Sequence, residues 1–407
     1  MALTAQQISI IKSTVPILAE HGNAITALMY SNLLREQPSL NDIFNNVHPK
    51  SGKQPKALAD ALYAYAGHID DLSALGPAVE LIAQKHASMY IRAPQYAIVG
   101  RYLIDAMQAV LGDALTKEVR DTWALAYGQL ADILITRETA LYQNPEQWND
   151  WRPFRVARKE QESAEITSFY LAPDDGQKLP SYLPGQFLSV RILVPELGHL
   201  QPRQYSLSDA PTADGSYYRI SVRREDGGHV SNVLHGTTKV GDIIEVAHPY
   251  GDFFLDTAKS SADAPLVLIS AGVGQTCLFA ILNAVVNAGQ TDRPISWIHC
   301  ARNKTVRAFA EDVEALKGRH PLLKTVHFLS QPTAAEVQGV DYNHSGRVAV
   351  NILDAEADLY LSNPKAQYFI CGPDAFMADT WNSLEKLGVG EERIHMEQFG
   401  TGGVSRA

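Results

Sequence analysis

The chain has 407 residues, with 35 basic and 45 acidic side chains, 45% hydrophobic content and three cysteines. Its length allows two or three separately cored domains. A net charge of −10 argues against a nucleic-acid partner, and the absence of any apolar run of about 20 residues argues against a membrane span. The amino-terminal segment lacks the apolar block and cleavage site of a signal peptide. Cys277, Cys300 and Cys371 are odd in number, widely spaced and without a C-x-x-C pair. A cytoplasmic, reducing-compartment protein with neither a disulfide framework nor a zinc site is therefore expected.

Residues up to Tyr142 read as successive helices, with apolar positions recurring at three and four, as in Val79, Ile82, His86 and Met89. Breakers fall between them at Pro38, Pro49 to Gly52, Gly76–Pro77, Pro94 and Gly112. An all-α domain over residues 1–145 follows. Beyond the Trp-rich connector Gln143 to Pro153, short strands dominate. Leu188, Val190, Ile192 and Val194 form one apolar face, and Tyr218, Ile220 and Val222 alternate with Arg219, Ser221 and Arg223. Turn signals between them predict an antiparallel barrel or sandwich over 151–262, of which the barrel is expected. From 263 to 407, the apolar runs LVLIS, ISWIHC, TVHFLS and YFICG interleave with helical segments, which predicts a parallel-sheet α/β domain.

Several short motifs could bind a cofactor. In LVLISAGVGQTCL, a strand enters a glycine turn ahead of a helix, where free N–H groups suit a phosphate. Cys277 stands where the third glycine of a dinucleotide fingerprint would fall, so an ordinary tight turn is an equal reading. The CGP of Cys371, Gly372 and Pro373 closes another strand, although an unpaired cysteine is more often a small buried hydrophobe. Arg203, Gln204, Tyr205 and Ser206 combine a guanidinium, an aromatic face and a hydroxyl, and GGHVSNVLHG places Ser231 at a helix start. In the helical part, His86 lies on an apolar stripe; it is either a core histidine bonded to a carbonyl or a haem ligand. Tyr30 lies on another apolar helix, where a phenol commonly serves the core.

In order and spacing, RQYS, GG-x-VSN-x-L, AGVGQT and CGP resemble the ferredoxin reductase-like FAD/NAD(P)H modules over about 250 residues. The helical part resembles a globin, carried by Tyr30, KQPKALADALYAYA, AQKHAS, PQYAIVG and WALAYGQLADILITRE. End to end, the chain resembles the flavohaemoglobins, the nitric oxide dioxygenase family. That resemblance implies haem b, FAD and NADH or NADPH as cofactors. It also implies electron flow from NAD(P)H through FAD to haem, where nitric oxide and O2 become nitrate. His86 would be the iron ligand, supported by Tyr96 and Glu138. Tyr30 would lie on the distal side with Leu58 and, with less weight, Gln54, which Pro55 would leave at a helix cap.

The same resemblance puts Arg203 on the flavin pyrophosphate, Tyr205 on the isoalloxazine, and Ser206 near the reactive ring nitrogen, with Gln204 and Ser231 as further flavin contacts. Gly272, Val273, Gly274, Gln275, Thr276 and Cys277 would hold the nicotinamide dinucleotide, with Cys371, Gly372 and Pro373 near its nicotinamide. Lys85 and Glu397 match a pair at the haem–flavin junction. Gln398, Phe399, Gly400 and Thr401 match the carboxyl-terminal cofactor segment, with Phe399 against the flavin. Three positions depart from the family pattern: Phe187 replaces a tyrosine, and Cys277 and Thr401 each replace a proline. The competing readings are an O2-binding or redox-sensing globin whose reductase keeps the iron ferrous, and a plain flavin reductase. A monomer acting on small molecules is expected. Arg302 could meet a 2′-phosphate, although a surface arginine is the simpler reading.

Overall fold

Thr4 starts the first helix with a reciprocal cap: its hydroxyl accepts from the Gln7 N–H at 3.2 Å, and the Gln7 side chain accepts from the Thr4 N–H at 2.8 Å. The computed structural model describes residues 3–44, 52–144, 147–256 and 260–400. They divide into two compact units. One contains the residues up to Trp151 together with Ser189–Arg203; the other contains Arg152–Leu188 and Gln204–Gly400.

The first unit contains helices α1 (Ala5–Ser13), α2 (Val15–Glu36), α3 (Lys53–Gly67), α4 (Gly76–Ala87), α5 (Ala93–Leu111) and α6 (Lys117–Tyr142). Ile25, Met29 and Leu33 of α2 recur at helical spacing and pack in one cluster with Leu62 and Tyr65 of α3, Leu103 and Met107 of α5 and Trp123 of α6. Burying each such side chain contributes roughly 1.5–3 kcal/mol. Trp123 is the largest of them, and its indole N–H is satisfied by the Thr14 hydroxyl at 3.3 Å.

A six-stranded sheet follows in the order β4-β3-β6-β1-β2-β5. Its strands are β1 (Arg152–Gln161), β2 (Ile166–Pro173), β3 (Phe187–Val194), β4 (His199–Ser206), β5 (Tyr218–Arg223) and β6 (Ile243–Val246), and β1 runs antiparallel to both β2 and β6. The expected alternation of β5 fails at Arg219 and Ser221, which are as buried as Tyr218 and Ile220. The reason lies in the second layer: the Arg219 guanidinium lies over the rings of Phe279 and Phe309 at 5.3 and 5.5 Å, so both faces of the strand are covered. The short helix α7 (His229–Gly236) connects β5 to β6.

The α/β part contains β7 (Leu266–Ala271), α8 (Gln275–Asn287), β8 (Ile295–Ala301), α9 (Ala310–Arg319), β9 (Leu323–Leu329), β10 (His344–Ser345), β11 (Gln367–Cys371), α10 (Asp374–Lys386) and β12 (Ile394–Glu397). Its strands are parallel, in the order β10-β9-β8-β7-β11-β12. The chain builds outward from β7 in one direction and then returns to add β11 on its other side. The carboxyl ends of β7 and β11 therefore flank a topological switch point, where open α/β sheets take their ligands. Within this second unit, Ile166 of β2 and Phe253 and Leu255 after β6 share one apolar cluster with Phe279, Trp297 and Phe369 of the α/β part.

Candidate active site and cofactor-binding elements

The helical unit brings His86, Tyr96 and Glu138 together from three helices. His86 lies in the last turn of α4. The chain then reverses through Tyr90, whose left-handed backbone (φ 54°) is uncommon for a bulky residue. α5 starts at Ala93, with the Gln95 side chain accepting from the Arg92 N–H at 2.7 Å, and this puts Tyr96 in its first turn. Glu138 comes from the carboxyl-terminal part of α6 and is 2% exposed. His86 Nδ1 lies 2.9 Å from Glu138 Oε1 and 2.8 Å from the Tyr96 hydroxyl oxygen. The Tyr96 hydroxyl donates to the same carboxylate oxygen.

A carboxylate can only accept, so Nδ1 carries the proton and the lone pair of the neutral imidazole is on Nε2. Nε2 makes no hydrogen bond among the described residues, while the His86 side chain is 31% exposed. Burial and the adjacent Glu138 carboxylate push the Tyr96 phenol well above its ordinary range, so it remains a donor.

Tyr30 on α2 is buried, meets the Phe44 ring edge-on at 5.7 Å, and has its pKa pushed up to about 12 by burial, an effect partly opposed by hydrogen bonding with Gln54. Gln54 does not cap its helix. α3 begins at Lys53, which puts Gln54 inside the first turn. Pro55 is tolerated there because the N–H groups of a first turn have no intrahelical acceptor. Gln54 Oε1 is buried without a hydrogen-bond partner, and Leu58, one turn on, packs on the helical core. An imidazole with an open nitrogen, a buried phenol and an unsatisfied amide oxygen suit a prosthetic group better than a closed core.

On β4, Arg203 donates from Nη1 to the Pro202 carbonyl at 2.7 Å, and Ser206 presents a buried hydroxyl with no hydrogen-bond partner. Phe187 is buried at the start of β3, joined to Tyr250 by two backbone bonds of 2.9 and 2.8 Å. Ser231 is the third residue of α7, and its hydroxyl accepts from the Glu225 N–H at 3.2 Å.

At the switch point, Gly272 adopts φ 56° and has open space where a side chain would be, apart from Arg223 Nη1 at 4.0 Å. Gly274 serves a different purpose: a Cβ there would lie 2.3 Å from the Cys371 carbonyl oxygen and 2.7 Å from the Gly372 nitrogen. The loop over Val273 and Gly274 is therefore pressed against the end of β11, and the two glycines are required for separate reasons. Thr276 and Cys277 are buried in the first turn of α8, and Gln275 Nε2 is buried without a partner. Cys371 is fully buried. Burial first, then the neighbouring Cys277 thiol and the Glu397 carboxylate, raise its pKa well above the usual thiol range. Glu397 ends β12 in register with Cys371. Gln398 donates to Asp374 at 3.1 Å and Phe399 is 42% exposed, while Thr401 lies outside the described residues. Lys85 precedes His86 on α4, in the first unit.

Family comparisons cover all three parts. A globin model matches residues 27–134, an oxidoreductase FAD-binding domain matches 153–255, and an oxidoreductase NAD-binding domain matches 268–381. The chain is 48% identical to a flavohemoprotein of Bordetella parapertussis over 404 residues, which is 98% of each chain. The chain belongs to the flavohaemoprotein family. A second relative, the flavohemoprotein of Chromobacterium violaceum, is 46% identical over 98% of each chain. Among solved structures, the flavohemoglobin of Malassezia yamatoensis, determined with FAD and haem bound, superposes with a TM-score of 0.86 at 27% identity, covering 98% of this chain and 100% of that one. The FAD/NAD-binding domain of a Vibrio cholerae nitric oxide dioxygenase covers 62% of this chain and 99% of its own at 32% identity, with a TM-score of 0.55.

Within the flavohaemoprotein frame, the structure adds pairings that the linear sequence did not mark. Arg302 is ion-paired with Glu165 rather than standing as a lone surface cation. Ser270 and His299 form a buried pair at 2.8 Å across adjacent strands of the parallel sheet. Neither pair has a signature in sequence, because its members lie 137 and 29 residues apart.

Proposed function

We propose that this flavohaemoprotein is a nitric oxide dioxygenase that uses haem b, FAD and NADH or NADPH to convert nitric oxide and O2 to nitrate. The observation that carries this reading is the hydrogen-bonded set of His86, Tyr96 and Glu138, which leaves His86 Nε2 as an oriented, electron-rich ligand atom. Haem, when bound, supplies the iron at which O2 is activated, and FAD supplies the conversion from hydride to single electrons.

His86 would hold the haem iron through Nε2. Glu138 keeps the Nδ1 proton and so raises the basicity of the ligand, and Tyr96 fixes the carboxylate in place. Such a ligand favours oxygen activation over reversible carriage. Tyr30, protonated across the physiological range, would be the hydrogen-bond donor available to O2. Gln54 supports it and Leu58 limits the space.

In the reductase part, Arg203 and Ser231 bind the flavin phosphates, Tyr205 and Phe187 pack on its ring system, and the Ser206 hydroxyl finds its missing partner on the flavin. The loop Gly272 to Cys277, with Gln275 Nε2 available, binds the nicotinamide dinucleotide beside Cys371, Gly372 and Pro373. By the family resemblance, Lys85 of the first unit and, separately, Glu397, Gln398, Phe399 and Gly400 of the second are further cofactor-side residues. The test is an absorption spectrum of the purified protein, taken before and after anaerobic NADH and then after O2 with nitric oxide. Haem and flavin bands, reduction by NADH and stoichiometric nitrate are expected; flavin without haem overturns the reading.

A further inference from the structure

Arg302 directly follows β8, the second strand of the unit β7–α8–β8. In nucleotide-binding sheets of this topology, the side chain at that place meets the adenosine ribose: an acidic group takes a 2′-hydroxyl, and an arginine accommodates a 2′-phosphate. Read alone, Arg302 is therefore a 2′-phosphate site. In the structure its guanidinium is ion-paired with the carboxylate of Glu165.

Glu165 does not approach by chance. It sits in the turn between β1 and β2, and that turn is bonded to the loop after β8: the Ala164 N–H donates to the Thr305 carbonyl at 2.9 Å. The Glu165 carbonyl accepts from the Arg224 N–H at 2.8 Å, and Ser163 Oγ accepts from the Glu165 and Ile166 N–H groups at 3.3 and 3.1 Å. The next cation of the loop is compensated as well: Lys304 Nζ lies 2.5 Å from Asp341, and the Lys304 N–H donates to Glu336 at 2.6 Å.

We propose that Glu165 is a specificity-determining residue. It neutralises Arg302, so that the ribose site accepts a nucleotide with a free 2′-hydroxyl and disfavours one with a 2′-phosphate. The inference rests on the reading of the β7–β8 end as the dinucleotide site. A half-exposed ion pair contributes little to stability, so its consequence is in recognition: a dianionic phosphate approaching Arg302 meets a compensated guanidinium with a carboxylate behind it.

The test is calorimetric titration of the full-length holoenzyme with 5′-AMP and with 2′,5′-ADP, which differ only by the 2′-phosphate. The parent protein should bind 5′-AMP more tightly. Glu165→Gln should shift the ratio of the two dissociation constants about fivefold toward 2′,5′-ADP, and the NADPH-to-NADH ratio of kcat/KM should move in the same direction. Adding Arg302→Gln should erase that shift. An unchanged ratio in Glu165→Gln, with 5′-AMP still bound, overturns the role of Glu165 alone, as does a shift that survives removal of Arg302. A parent protein that fails to bind 5′-AMP overturns the dinucleotide site and the inference with it.

Discussion

Glu138 Oε1 accepts from two residues at once, His86 Nδ1 at 2.9 Å and the Tyr96 hydroxyl, and Glu138 is almost fully enclosed. A buried carboxylate with two donors at a single oxygen orients the imidazole and sets its electron density. Glu138→Gln keeps the size and a hydrogen-bonding group but removes the charge. It should retain haem while lowering the rate of nitric oxide consumption about 10–100-fold. Stopped-flow nitric oxide consumption normalised to haem content checks this, and a parental rate would refute the electronic role. His86→Ala should lose haem and keep flavin, read from the ratio of the two absorption bands.

Tyr30 is expected to hold bound O2 by donating a hydrogen bond. Tyr30→Phe removes that donor while keeping the buried ring against Phe44. The O2 dissociation rate should rise by the equivalent of about 1–3 kcal/mol, a hydrogen bond to a charged acceptor. Flash photolysis or ligand-exchange kinetics read it directly, and an unchanged rate would remove Tyr30 from the distal site.

Gly274→Ala introduces a methyl group 2.3 Å from the Cys371 carbonyl oxygen, a backbone atom that cannot swing aside. The loop and the end of β11 must separate. NADH-dependent flavin reduction should slow by more than tenfold, while haem content stays at the parental level. By contrast, Gly272→Ala meets open space but a left-handed backbone, so its cost should be the smaller one, about 1 kcal/mol. Comparing anaerobic flavin reduction in the two variants separates packing from conformational strain.

His299 is buried with Nδ1 on Ser270 and Nε2 without a partner, and burial lowers its pKa to about 3. The unfolded chain binds this proton near pH 6.5 and the folded chain does not. Over the window between those values the unfolded state therefore holds more protons, and stability falls as the pH is lowered. One such histidine contributes a slope of about 1.3 kcal/mol per pH unit around pH 5. Urea denaturation at pH 5, 6 and 7 should show a shallower pH dependence for His299→Gln than for the parent. Equal slopes would mean that the imidazole finds a way to protonate in the folded state.

Much of this protein was determined by local pattern in its sequence. Helical periodicity with Pro and Gly breakers, then alternation, then continuous apolar runs separated a helical part, an antiparallel sheet and a parallel sheet. Each period is imposed by the backbone geometry of its own element. The motifs around His86, RQYS, AGVGQT and CGP were visible for the same reason, since each lies within one turn or one strand end. What the tertiary structure alone decided were pairings between distant segments. These include Arg219 buried against Phe279 and Phe309, Gly274 pressed on Cys371, and Glu165 taking up the charge of Arg302, whereas Glu138 beside His86 was implied by the family resemblance and received its geometry from the fold. Each depends on which surfaces the packed layers bring together. A strand face that is polar in sequence can be covered by a second layer, and a cation can meet its counter-ion across 137 residues of chain. Burial and charge compensation are properties of that packing, and no local spacing encodes them.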